Sequence, residues 1–151
     1  MKKKKTVILM ADDDTDDTML VREAFMSVGI STDFRSVENG QELLDYLRRE
    51  GSFAGSSPAP WPDLILLDLN MPIVHGKEAL KEIKDCRNLR KIPVVVLTTS
   101  AEETNISECY CLGANAYLVK PAKFEELAEA AESIARFWFH HVELPSATKD
   151  C

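Results

Sequence analysis

The strongest constraint on the fold is an alternation between short apolar runs and segments with helical periodicity. Five apolar runs, each too short for a helix, are each followed by a segment whose apolar residues recur at helical spacing. This order is typical of a parallel sheet wound with helices. We therefore predict a doubly wound α/β fold of five βα units, with strands at Val7–Ala11, Asp33–Val37, Leu64–Asp68, Val94–Thr98 and Ala116–Val119.

The intervening segments predict helices that face the sheet through one apolar stripe. The loop Gly51–Pro62, rich in Gly, Ser and Pro, connects two elements of one domain. We expect a basic tail at residues 1–5, one domain at 6–139 and a C-terminal tail at 140–151. The predicted stripes are Leu20, Ala24, Phe25 and Val28; Leu43, Leu44 and Leu47; Ala79, Leu80 and Ile83; and Phe124, Leu127, Ala128, Ala131, Ile134, Ala135 and Trp138.

The charge of the chain argues against nucleic acid as a partner. The net charge is −7, and four of the 18 basic residues are Lys2–Lys5, which leaves 14 basic residues against 25 acidic ones. Such a body repels phosphates, on which non-specific nucleic-acid binding depends. The longest apolar runs are far shorter than the roughly 20 residues that span a bilayer, and the N-terminus lacks the apolar segment of a secretory signal. We expect a cytoplasmic protein without membrane association.

Polar side chains follow the predicted strands at one edge of the sheet. Asp12 and Asp13 follow the first strand, Asp68 ends the third, Thr98 ends the fourth and Lys120 follows the fifth. Sites in parallel sheets form at the carboxyl ends of the strands. Three carboxylates there repel one another unless a cation is bound, and Mg²⁺ prefers such oxygen ligands together with a phosphate. The pattern predicts a magnesium-assisted phosphoryl site.

Four segments at family-like spacing resemble those of a response-regulator receiver domain (CheY-like). They are the strand with its acidic pair at 7–13, the acceptor segment at 66–72, the strand with a hydroxyl at 93–98 and the lysine segment at 113–121. The resemblance covers residues 6–139. It implies a flavodoxin-like sheet with strand order 2-1-3-4-5, and a signalling protein that catalyses only its own phosphorylation and dephosphorylation.

The resemblance implies a role for each site residue. Asp68 would accept a phosphoryl group from a phosphohistidine of a sensor histidine kinase or a phosphotransfer protein. The implied ligands of Mg²⁺ are Asp12, Asp13, Asp68 and the backbone carbonyl of Asn70. A metal there would neutralise charge as the phosphoryl group moves.

Further residues would read out the phosphorylation. Lys120 would pair with a phosphoryl oxygen, and the Thr98 hydroxyl would move toward another. Tyr117 would then fill the space that Thr98 leaves and change the contacts with an unknown downstream protein. Asn70 and Ser100 occupy positions that tune dephosphorylation in the family. The Lys-Pro step at 120–121 is expected to be cis by the same resemblance.

A closer resemblance is to stand-alone regulators that pair with phytochrome-type histidine kinases, some of which are homodimers. The similar segments are residues 97–103, from the end of the fourth strand onward, the Pro-rich loop, and the chain end at 137–139 and 142–145. Because Phe137, Trp138 and Phe139 are consecutive, one helical face cannot bury all three, which favours a partner surface. A homodimer is therefore a hypothesis. The chain departs from the family pattern at His75 and Thr99.

Three alternatives use the same acidic segment or fold. Asp14, Asp16 and Thr18 match the DxDxT pattern of haloacid-dehalogenase-type phosphatases, although the first Asp lies three residues beyond the strand. An EF-hand calcium loop would use Asp12, Asp14, Asp16 and Glu23, but its sixth position holds Asp17 where a sharp turn needs Gly. A pseudo-receiver that serves only as a scaffold is disfavoured because all site residues are present.

Overall fold

The computed structural model describes residues 5–55 and 59–146, and their elements alternate as the sequence predicts. Each predicted strand is present within one residue of its predicted bounds. The elements in chain order are β1 Thr6–Ala11, α1 Thr15–Met26, β2 Thr32–Val37, α2 Gly40–Arg48, a 3₁₀ turn Gly51–Phe53, β3 Leu64–Leu67, α3 Gly76–Asp85, β4 Val94–Thr98, α4 Glu103–Cys111, β5 Ala116–Val119, α5 Phe124–Ala135 and a π-helical turn Arg136–His141.

The five strands form one parallel sheet in the order β2-β1-β3-β4-β5, as the family resemblance implies. The central strands β3 and β4 are buried at every residue, which is why they read as continuous apolar runs. The chain reverses its direction of winding between β1 and β3. This crevice, at the carboxyl ends of the strands, is where a doubly wound fold forms its site.

Helices cover both faces of the sheet and enclose two apolar clusters. Helices α2, α3 and α4 pack on one face, where Leu43, Leu80 and Cys109 are fully buried. Helices α1 and α5 pack on the other face, through Phe25 and Ala131 among others. The two layers hold the strand ends in fixed positions. Among the described residues, no helix has the length and apolarity needed to cross a membrane.

Two of the predicted apolar stripes are partly wrong. In α1 the buried face includes Val21, whereas Leu20 is exposed. In α5 the stripe begins at Leu127, because Phe124 stands at the first helical position and is exposed. The periodicity of the α1 sequence fits two adjacent faces, and the packing against the sheet selects the one that carries Val21. The predicted stripes of α2 and α3 are buried throughout.

The expected cis bond at Lys120–Pro121 is wrong, because the described residues contain no cis peptide. Trans is the intrinsically favoured isomer even before proline, by about 0.5–1 kcal/mol. With the trans bond, the Lys120 N–H still donates to the Thr98 carbonyl, at 2.7 Å. The predicted loop 51–62 includes the short 3₁₀ turn, and parts of both predicted tails, 1–4 and 147–151, lie outside the described residues.

Candidate phosphoryl-acceptor site

The strand register brings the acidic residues of β1 and β3 together. Ala11 and Leu67 are partners in the parallel pair β1–β3, so the residues that follow them leave the sheet side by side. The Asp68 N–H donates to the Ala11 carbonyl at 2.9 Å. Asp12 is anchored on its other side, where its N–H donates to the Val37 carbonyl at 3.1 Å. The sheet itself therefore positions both carboxylates.

Asp12, Asp13 and Asp68 form a compact cluster of carboxylates. One oxygen from each lies within 4.8 Å of the others. Asp12 and Asp68 are buried, at 1% and 6% exposure, whereas Asp13 is exposed and opens the cluster to solvent. Buried carboxylates at this separation repel one another, and a nearby cation favours their ionised forms.

The donor set of this cluster fits a magnesium ion. All three side chains offer carboxylate oxygens, the hard ligands that Mg²⁺ prefers, and the exposed side leaves room for the waters that it retains. When bound, the metal would neutralise negative charge on a transferring phosphoryl group. Asn70 lies in the exposed turn two residues after Asp68, and its carbonyl as a further ligand stays a prediction.

Lys120 is the cation that this structure places at the cluster. Its Nζ lies 2.6 Å from Asp12 Oδ2, 2.9 Å from Asp17 Oδ2 and 3.9 Å from Asp68 Oδ1. The contact with Asp12 joins residues 108 positions apart in the chain. The lysine predicted to meet a phosphoryl oxygen is therefore within reach of the predicted acceptor.

The electrostatic environment shifts the pKa values of the acceptor and the lysine. Burial raises the pKa of Asp68 above its ordinary value; the Lys120 ammonium opposes this shift, and the Asp12 carboxylate adds to it. Burial alone would lower the pKa of Lys120, but its hydrogen bonds to Asp12 and Asp17 and the charge of Asp68 raise it. The lysine is accordingly held as a cation.

Thr98 places a hydroxyl group at the end of β4 with unused hydrogen-bonding capacity. The side chain is fully buried, and its Oγ1 makes no hydrogen bond of ordinary geometry among the described residues, although the hydroxyl is near enough to Asp68 to help lower the pKa of that carboxyl. An orphaned buried hydroxyl is uncommon in proteins and costs free energy. A new acceptor oxygen at the neighbouring strand end would satisfy it.

Tyr117 lies on β5, half-buried, and its hydroxyl donates to the Ser100 carbonyl at 2.8 Å. Ser100 Oγ accepts from the Asn105 side chain at 2.8 Å, and Asn105 in turn accepts from Lys77 Nζ at 2.5 Å. The segment after Thr98 is therefore linked to both β5 and α4. A displacement at Thr98 can reach the surface through these contacts.

The turn after Asp68 depends on Gly76. A Cβ at this position would lie 2.4 Å from the Asp68 carbonyl oxygen, so only glycine allows α3 to begin this close to the acceptor. His75 caps α3, where its Nδ1 accepts from the Lys77 N–H at 3.2 Å. This residue leaves the turn intact.

The described contacts of the acidic segment disfavour the two metal-binding alternatives. Asp14 caps α1, and its Oδ1 accepts from the N–H groups of Asp16 and Asp17. A carboxylate used as a helix cap beyond the strand does not stand where a phosphatase nucleophile would. Because α1 begins at Thr15, the segment also cannot form a twelve-residue calcium loop.

Asp17 is a site residue that the sequence reasoning missed. An acidic residue in a first helical turn is explained by the helix dipole alone, yet the Asp17 carboxylate contacts Lys120. The helical spacing of the sequence does indicate that Asp17 faces the sheet. Asp17 lies four positions before the buried Val21 and so shares the face of α1 that meets the sheet.

Comparison with known proteins agrees with this site. The family model described as "Response regulator receiver domain" matches residues 8–132. The response regulator Rcp1 of Synechocystis sp. (strain ATCC 27184 / PCC 6803 / Kazusa) is 38% identical over 141 residues, which cover 93% of this chain and 94% of Rcp1.

Two solved structures are similar over nearly the whole chain. The phosphorylated cyanobacterial phytochrome response regulator RcpA superposes with a TM-score of 0.86 at 39% identity, covering 95% of this chain and 100% of RcpA. The Mn²⁺-bound form of Rcp1 superposes with a TM-score of 0.84 at 38% identity, covering 93% and 99% of the two chains. The sheet order, the acidic cluster and these similarities together show that the chain belongs to the response-regulator receiver family, whose members are signalling proteins.

Proposed function

We propose that Asp68 is the phosphoryl acceptor of this receiver and that Asp12, Asp13 and Asp68 hold the Mg²⁺ ion. The observation that carries the proposal is the convergence of three carboxylates, Lys120 and the unpartnered Thr98 hydroxyl at one end of the sheet. Anions, a metal site, an ammonium group and a hydroxyl are the parts that phosphoryl transfer to a carboxylate requires.

The transfer is a substitution at phosphorus. An Asp68 carboxylate oxygen attacks the phosphorus of a phosphohistidine, an O–P bond forms, and the P–N bond breaks with both electrons going to the histidine nitrogen. Hydrolysis later returns the carboxylate and inorganic phosphate. Lys120 stabilises the added negative charge from a starting distance of 3.9 Å, and Thr98 donates its buried hydroxyl to a phosphoryl oxygen.

We propose that the signal leaves the site through Thr98 and Tyr117. Movement of Thr98 toward the phosphoryl group pulls the segment that ends at Ser100, to which Tyr117 donates its hydroxyl hydrogen bond. The ring of Tyr117 already packs against the buried cluster beneath α4. The surface formed by α4, β5 and α5 would thereby change its contacts with a downstream protein. By the family resemblance, Asn70 and Ser100 are the residues that we expect to tune dephosphorylation.

The donor that we propose is a histidine kinase of the phytochrome type, or a phosphotransfer protein. RcpA is described as a phytochrome response regulator, and the similarity covers all of RcpA and 95% of this chain. We propose the cytoplasm as the place of action. An acidic surface with a net charge of −7 again disfavours nucleic acid as the direct target.

We also propose a homodimer that uses the aromatic end of the chain. Phe137 is 54% exposed and packs edge-on against Trp138, with ring centroids 5.2 Å apart. A large exposed aromatic side chain at a helix end favours a partner surface. Sedimentation analysis should detect a dimer in the wild type and a weakened one in Phe137→Ala; a wild type that is monomeric at high concentration, with and without a phosphoryl mimic, excludes it.

Asp68→Asn tests the acceptor. Wild type incubated with acetyl phosphate and Mg²⁺ should gain the mass of one phosphoryl group, whereas Asp68→Asn should gain none because an amide is a poor nucleophile. Intact-mass measurement of both proteins detects the added phosphoryl group or its absence. Omitting Mg²⁺ should greatly reduce labelling of the wild type, since the carboxylates then repel the incoming phosphate.

Asp14→Asn is the matched control for this experiment. Asparagine caps helices as well as aspartate does, so α1 should stay intact. We expect full labelling of Asp14→Asn under the receiver mechanism, whereas the phosphatase alternative requires that this change abolish phosphate turnover. A wild type that stays unmodified with both acetyl phosphate and a phosphorylated kinase would falsify the proposed function.

A further inference from the structure

Asp17 gives Lys120 a partner outside the proposed metal cluster. Its Oδ2 lies 2.9 Å from Lys120 Nζ, in a contact that joins the first turn of α1 to the end of β5. We propose that Asp17 is a competing partner of Lys120: it holds the ammonium group at the rim of the site in the unphosphorylated protein and is exchanged for a phosphoryl oxygen when Asp68 is phosphorylated. This inference rests on the proposed function of Asp68.

The two close partners of Lys120 differ in what else they contact. Asp12 belongs to the three carboxylates that lie close enough to share one cation, whereas Asp17 does not. Asp12 is buried, but the Asp17 side chain is 35% exposed at the rim of the site. Asp17 is therefore the partner that stays with Lys120 when the carboxylate of Asp12 is engaged elsewhere.

Burial of the lysine explains why such a partner matters. The Lys120 side chain is 11% exposed, and a buried ammonium group that loses its anionic partner is strongly destabilised. Its three N–H donors can bridge two anions during an exchange. Asp17 therefore stabilises the charged lysine before phosphorylation, and it competes with a phosphoryl group for the same ammonium group.

The surroundings of Asp17 leave room for this exchange. Asp17 and Lys120 line a cleft of about 300 Å³ between α1 and the segment after β5, together with Leu20, Thr99 and Pro121. A carboxylate at the edge of such a cleft can turn toward water when the ammonium group leaves it. The cost of releasing Asp17 is accordingly small, since water solvates a carboxylate well.

Beryllofluoride, which mimics a phosphoryl group on a carboxylate, provides the test. Its binding in the presence of Mg²⁺ can be measured by fluorine NMR on the full chain. Asp17→Asn should bind it about two- to fivefold tighter, the range expected when a partly exposed ion pair no longer competes. Asp16→Asn removes the same charge from the same helical turn and should bind beryllofluoride as the wild type does.

A double-mutant cycle shows whether Asp17 acts through Lys120. The effects of Asp17→Asn and Lys120→Met on the free energy of unfolding should be non-additive, because the two side chains are in contact. Additive effects would overturn the inference, as would equal or weaker beryllofluoride binding by Asp17→Asn, or an equal gain in Asp16→Asn. If the wild type itself binds no beryllofluoride, the proposed function fails and this inference fails with it.

Discussion

Two lysines at opposite ends of the sheet are each held by three oxygen atoms, but of different kinds. Lys120 lies at the carboxyl end and contacts the carboxylates of Asp12, Asp17 and, more distantly, Asp68. Lys84, near the end of α3, lies at the amino end of β4 and β5. Its Nζ donates to neutral oxygens: the carbonyls of Arg90 at 2.9 Å and Ile92 at 2.8 Å, and the Asn115 side chain at 3.1 Å.

The difference in partners reverses the effect of burial on the two pKa values. Burial lowers the pKa of Lys84 to about 8, and no carboxylate of the described residues lies within ion-pair distance of it. Burial also acts against the charge of Lys120, but its anionic partners raise that pKa. Neutral oxygens hold a lysine in place, whereas an anionic partner of a lysine can be exchanged for another anion. These contacts favour a structural role for Lys84, whereas Lys120 stands where the proposed phosphoryl chemistry needs a cation.

The largest expected effect follows from removing the cation at the carboxyl end. Without Mg²⁺, Lys120→Met should lower the free energy of unfolding by about 3 kcal/mol, because the buried carboxylates of Asp12 and Asp68 lose their counter-charge. Added Mg²⁺ should stabilise this variant more than it stabilises the wild type, since the metal supplies the missing positive charge. Urea unfolding with and without Mg²⁺ measures both effects.

Lys84→Met is the matched control for this prediction. It removes the same charge from a site without carboxylates, and the hydrogen bonds lost are offset by relief of the buried charge, so the change in stability should stay within about 1 kcal/mol and be independent of Mg²⁺. The proposed difference between Lys120 and Lys84 is wrong if Lys120→Met is as stable as the wild type in the absence of metal. Equal stabilisation of both variants by Mg²⁺ would contradict it as well.

The fold was largely predictable because its signals are local. Continuous apolar runs mark the buried strands β3 and β4, and the alternation with helical segments determines the layers. The choice between adjacent faces of α1 was not predictable from spacing alone. Leu20 and Val21 are both apolar neighbours, and only packing against the sheet decides which is buried.

The placement of the site residues was predictable where the topology determines it. Asp12, Asp68, Thr98 and Lys120 follow strand ends, and every strand of a parallel sheet ends at the same edge. The isomer of the Lys120–Pro121 bond was not predictable in this way, because the two isomers differ little in intrinsic free energy. The chemical roles of Asp12, Asp68, Thr98 and Lys120 are predictions that the variants above test.

The contacts of Asp17 and Lys84 depend on tertiary structure that local patterns do not encode. Asp17 meets a lysine 103 positions away, and an acidic residue in a first helical turn already has a sufficient local explanation. Lys84 finds its oxygens in the segment before β4 and at Asn115 before β5. Long lysine side chains reach partners that no spacing rule identifies.

The smallest expected effect is a pH dependence of the free energy of unfolding that comes from the titration of Lys84. Below pH 8 its ammonium group is charged in both the folded and the unfolded chain, and the cost of burying that charge is fully present. Between about pH 8 and 10.5 the unfolded chain keeps a proton that the folded chain has released, so the free energy of unfolding rises with pH. We expect a rise of about 1 kcal/mol relative to Lys84→Met, since solvent screens part of the charge. Urea unfolding of both proteins between pH 7 and pH 9.5 measures it; parallel curves would show that the neutral oxygens around Lys84 stabilise its charge as well as carboxylates do.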